Sequence, residues 1–170
     1  MDERPEIPRV GDERELLVAH LEHARATFRW KVEGLDGSEL RATPTASSLS
    51  LAGLVKHLAI VEWWWFRTCL LGDPVHPVED GVDWDADPDW EFHSAADDDP
   101  DELFALLDEC VAASREAVAS CDSLDQLAAQ PRGGRPTSLR WILLHMLDEV
   151  ARHNGHADII RESLDGAVGY

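Results

Sequence analysis

An all-α fold, an antiparallel bundle of four long helices, is what this sequence predicts. Four stretches of about twenty residues repeat their apolar side chains with helical period, none alternates like a strand, and breaker-rich connections separate them. The first helix runs from about Asp12 to Glu33, with Leu16, Leu17, His20, His23, Ala24, Phe28 and Lys31 near helical spacing. Ser47, Ser48 and Ser50 are candidate caps for the second, which continues through LAGLVKHLAIVEWWWFRTCLL to Gly72, a natural stop. Pro100, Asp101 and Glu102 open the third, because proline suits a first turn and carboxylates favour the positive end of the helix dipole; it extends to about Ser120. The last helix starts at Thr137 or Ser138, after the breaker run PRGGRP, and reaches about Leu164.

A chain of 170 residues, 44% hydrophobic and with seven tryptophans, can bury one core, so a single domain over residues 1–170 is expected. The net charge of −19 argues against nucleic acid as a partner, since phosphate neutralisation needs clustered Lys and Arg. No run of eighteen apolar residues occurs, and the N-terminus MDERPEIPRVGDERE is charged and carries proline, so a soluble, cytoplasmic protein that neither spans a membrane nor is exported is expected. Cys69, Cys110 and Cys121 are odd in number and sit in apolar helical pattern, as reduced buried thiols do. Much of the acidity lies between Asp73 and Glu102, which reads as a long solvated connection between the second and third helices.

Chemistry concentrates in HMLDEVARHNGHADIIRE, residues 145–162. His145, Glu149, His153 and His156 are separated by four, four and three residues, turning by about +40°, +40° and −60°, so they share one narrow face. Ile142, Met146 and Val150 flank this stripe, which places the polar groups beside a face that should be buried, and a buried charge needs a partner or a metal. On the second helix His57 lies between Leu54 and Val61 on the apolar face. One His from one helix and a Glu-x-x-x-His pair from another make three ligands, suited to a divalent metal with an open position. HExxH is absent, and Arg152 stands where the di-iron Glu-x-x-His motif needs histidine.

SLAGLVKHLAIVEWWWF in the second helix, paired with EVARHNGHADIIRE in the last, resembles the DinB/YfiT-like metal-binding four-helix bundles. By these residues it is similar in particular to the branch related to the metal-binding domain of mycothiol-dependent maleylpyruvate isomerase. The resemblance covers nearly the whole chain, and no counterpart of that enzyme's extra C-terminal domain is expected here. It implies that His57, Glu149 and His153 hold a divalent metal, most naturally zinc, with nickel, iron or copper as alternatives. It further implies a metal-dependent thiol S-transferase or isomerase that joins a low-molecular-weight thiol such as mycothiol to a small electrophile. The alternative is a non-catalytic metal-binding protein with a stress-related or structural role.

Other residues are weighed against that set. His156 is a possible acid/base group behind the metal ligands, or a fourth ligand; His145 is read as a packing or interhelical hydrogen-bonding residue. His20 and His23 face either the cavity or solvent, while His76 and His93 are expected to be solvated, and Cys69 to lie too far along its helix to ligate. Trp63, Trp64 and Trp65 span 200° of helix surface, so they cannot all face one core; Trp64 shares the His57 face and is expected to pack there. The acidic connection leaves its helix roughly 20 Å beyond His57 at 1.5 Å per residue, so it is expected to pack on the outside of the bundle or on the partner in a homodimer, away from the metal.

Overall fold

The computed structural model describes residues 4–168. In chain order its helices are α1 (Glu13–Val32), α2 (Gly37–Arg41), α3 (Leu51–Trp63), α4 (Trp90–Ser94), α5 (Pro100–Ser120) and α6 (Leu139–Asp165). No strand occurs among the described residues beyond an isolated bridge between Leu127 and Ser138. The four long helices start where short polar side chains can satisfy free N–H groups. Asp12 accepts from Glu15 N–H at 2.9 Å, Ser50 from Gly53 N–H at 3.1 Å, Asp99 from Asp101 N–H at 2.9 Å and Ser138 from Trp141 N–H at 3.3 Å.

These helices form an all-α bundle in which α1 packs mainly on α6, α3 mainly on α5, and α3 also meets α6. Leu21, Ala24, Phe28 and Val32 supply the buried stripe of α1, and Ile142, Met146, Val150, His153 and Ala157 that of α6. Nearly every residue of α3 is buried, so it is the central helix. Its two buried charges are paired: Lys56 Nζ lies 2.6 Å from Asp98, and Glu62 takes both arms of Arg25 at 2.7 and 2.6 Å.

Three features depart from the expected pattern. First, α3 continues without a break into a π-helical segment, Trp64–Leu71, which ends at Gly72 with φ +85°. Trp64 packs against the core while staying partly exposed, and Trp65, seven residues after buried Leu58 and three after buried Glu62, is 4% exposed. Second, the connection before α3 contains the short helix α2, held by a capping box between Asp36 and Glu39. Third, the acidic connection, many of whose residues are exposed, also packs in part on α3. It leaves α3 at one end and must enter α5 at the other, where Arg41 donates to Asp98 O at 2.6 Å, so the chain runs back along α3. It folds on the way as α4, whose Phe92 meets Gly53 so closely that a Cβ there would lie 3.3 Å from the Phe92 Cα.

Candidate metal centre

His57 belongs to the buried central helix, and Glu149 and His153 stand one turn apart on α6, where i and i+4 side chains share a face. His153 lies in phase with Met146 and Val150, so its ring is carried inward with the apolar stripe. The crossing of α3 with α6 brings the three together. Glu149 Oε1 is 3.1 Å from His57 Nε2 and 3.3 Å from His153 Nε2, and one ligand atom from each residue lies within 4.8 Å of the others. Two donors about 2.0–2.2 Å from a tetrahedral metal stand roughly 3.3–3.5 Å apart, so this set could hold a metal ion with little adjustment.

The electrostatics agree with that use. Burial, reinforced by the neighbouring His57, pushes His153 down to about 4, which keeps its ring neutral and its lone pair available at pH 7. Burial alone would raise Glu149, but its contact with His57 and the charges of the two imidazoles outweigh that effect and hold it below the ordinary carboxylate range. It is therefore an anion. Two imidazoles ligating through their lone pairs and one carboxylate would leave a divalent ion with net positive charge.

Several residues around this set were placed otherwise by sequence reasoning, or not placed at all. The ring of His57 is stacked against Phe92 at 4.9 Å and 24°, and its Nδ1 lies 3.1 Å from Glu91 Oε1. Both partners come from α4, in the segment expected to lie away from the metal. No periodicity pointed to them, because their position depends on the route of the returning chain. His156 Nδ1 lies 3.3 Å from His153 Nδ1, against the outer side of that ring. His145 packs between Trp141 and Trp65, with ring centroids at 5.0 and 4.6 Å, and burial pushes it below the ordinary histidine range. His20 is exposed, and His23 Nδ1 meets Pro5 O at 2.9 Å, in neither case at the three donors.

His76, expected in solvent, is buried: its ring meets Trp63 edge-on at 4.7 Å and its Nδ1 accepts the Val78 N–H at 3.1 Å. His93 is exposed and pairs with Asp87 at 2.9 Å. All three cysteines are buried and unpaired, and burial pushes their thiols up, Cys110 to about 12. A cavity of about 570 Å³ opens beside His57 and Glu149, walled by Val61, Trp64, Trp84, His145, Glu79 and Arg132. The donor set therefore has a protein side, formed by α3 and α6, and an open side.

Comparison with known families decides the relationship, because the family model described as mycothiol S-transferase matches residues 16–166. The chain belongs to the mycothiol S-transferase family. Its matched range contains His57, Glu91, Glu149, His153 and His156, together with all of α2 to α6 and all but the first three residues of α1. No curated protein matches the chain. Among solved structures, a conserved protein from Enterococcus faecalis superposes with a TM-score of 0.72 over 93% of this chain and 100% of its own, at 17% identity. That likeness concerns the fold alone.

Proposed function

We propose that the protein is a metal-dependent thiol S-transferase in which His57, Glu149 and His153 hold a divalent cation, with zinc as first choice. The observation that carries this reading is the convergence of three donors from two helices, two of which, His57 and Glu149, line a cavity large enough for a small molecule. Membership of the mycothiol S-transferase family supports a low-molecular-weight thiol, mycothiol, as the sulfur donor. A bound divalent cation would lower the pKa of a thiol brought to its open side and so make the thiolate accessible at neutral pH.

The chain's own residues do the rest. Val61, Trp64 and Trp84 give the cavity apolar and aromatic walls that exclude water from the reacting groups and take the body of a small electrophile. His145, held neutral by burial at the cavity wall, is placed to accept the proton that a thiol gives up. His156 acts on the outer nitrogen of His153 and so steadies a ligand. The sulfur attacks an electrophilic carbon, the new C–S bond forms, and the displaced electron pair leaves with its group or takes up the proton.

The test uses protein purified without a chelating tag. Elemental analysis should find a stoichiometric divalent metal. The loaded protein should consume mycothiol together with a small electrophile, and a chelator should stop it. Full metal occupancy with no turnover for mycothiol, bacillithiol or glutathione across an electrophile panel would favour the non-catalytic metal-binding protein.

A further inference from the structure

We infer that the acidic connection serves the metal centre: α4 clamps the His57 ring in one tautomer, with Glu91 as the positioning residue that leaves Nε2 free to ligate. This rests on the ligand set proposed above. Two carboxylates compete for the ring of His57, Glu91 at Nδ1 and Glu149 at Nε2, each 3.1 Å away. A carboxylate only accepts, and a ring that ligates a metal through one nitrogen keeps a single N–H on the other, so in the ligating form only one of the two can receive a hydrogen bond. If the hydrogen sits on Nδ1, Glu91 accepts it and Nε2 offers a lone pair beside Glu149 and His153. If it sits on Nε2, it is spent on Glu149, and two of the three donor atoms are tied to each other.

The surroundings favour the first arrangement. Glu91 is buried, and its second oxygen, Oε2, is enclosed with no hydrogen-bond partner, so the contact with His57 is what answers its charge. Phe92, the next residue, stacks on the same ring and prevents it from turning away. The clamp is anchored one residue along α3 from His57. Lys56 Nζ holds Ser94 Oγ at 2.8 Å and Asp98 Oδ2 at 2.6 Å, and lies 4.3 Å over the ring of Trp90. Gly53, one turn before His57, has no side chain to keep Phe92 off the helix. Lys56, His57 and Gly53 are thus three contacts of one docked element. A carboxylate on the outer nitrogen of a ligating histidine fixes its tautomer and orientation, and its loss commonly weakens metal binding about 10–100-fold.

The experiment reads the ring and the metal separately in the full chain. Nitrogen-15 spectra of histidine-labelled, metal-free protein, with His57 assigned by its loss in His57→Gln, should show hydrogen on Nδ1. Glu91→Ala should move it to Nε2, and titration with cobalt(II) against a competing chelator should show binding about 10–100-fold weaker. Glu91→Gln, which keeps the shape and an acceptor oxygen, should retain the tautomer and bind within a few-fold of the parent. If Glu91→Ala does not fold, Gly53→Ala supplies the second reading, because the added methyl crowds Phe92 and should shift tautomer and affinity the same way. An Nε2–H ring in the parent, or unchanged tautomer and affinity in the variants, overturns the clamp. A parent with the Nδ1–H ring that takes up no cobalt would leave the clamp standing and overturn the metal reading instead.

Discussion

At the residue scale, the proposed centre uses three side chains, and the protonation of Glu149 and His153 is set by where their helix puts them. His153 is the clearest case. Its folded value of about 4 lies below the ordinary histidine value of 6.5, so between these limits the unfolded chain binds a proton that the folded chain does not. Stability from this group is therefore present above pH 6.5 and lost as pH falls toward 4, and the depressed Glu149 acts in the same direction below its ordinary 4.5. Thermal melts of metal-free protein should show Tm falling steadily from pH 7 to pH 4.5; a flat profile would mean that His153 is not held neutral by burial. Replacing His57, Glu149 or His153 by Ala should each remove most of the bound metal in elemental analysis. His76→Ala should leave metal content unchanged, since its ring packs on Trp63 and contributes none of the three donors.

At the scale of elements, α3 is the piece around which the others are arranged. Being apolar on nearly all sides, it can only be stable in the middle, and its few polar groups become connectors to whatever lies beside them. Glu62 joins it to α1 through Arg25, with side chains 1% and 9% exposed. Glu62→Ala would leave a guanidinium buried with only Glu22 to answer it, at 2.6 Å. Removing one member of a buried pair typically costs about 3–5 kcal/mol, and the remaining partner places this variant near the lower end. Urea unfolding should report that loss, and replacing both Arg25 and Glu62 by apolar residues of similar size should cost less than Glu62→Ala alone. Equal losses would show that the destabilisation comes from packing and not from the stranded charge.

At the scale of the whole molecule, 34 acidic residues face 15 basic ones, so the folded chain repels itself. Many of the guanidinium groups are spent on close ion pairs, including Arg67 with Asp73, Arg115 with Glu22 and Arg140 with Glu13 and Asp125. Exposed pairs of this kind contribute little each, whereas the unanswered carboxylates act together over a Debye length that shrinks from about 30 Å at 0.01 M salt to about 8 Å at 0.15 M. Raising sodium chloride over that range should raise Tm. A fall would mean that the surface pairs outweigh the net repulsion.

What the sequence determined by itself is local in origin. The four long helices begin at Asp12, Ser50, Asp99 and Ser138 because those side chains cap their own first turns, and the second ends at Gly72, where a left-handed residue is needed. The Glu149–His153 pair was legible for the same reason, since a spacing of four on a helix is a shared face whatever the rest of the chain does. Tertiary structure alone decided the rest. Glu91 and Phe92 reach His57, and His76 leaves solvent for Trp63, because the return path of the chain between α3 and α5 sets these contacts. Neither leaves a period in the sequence, as each depends on which end of one helix the chain must reach to begin the next.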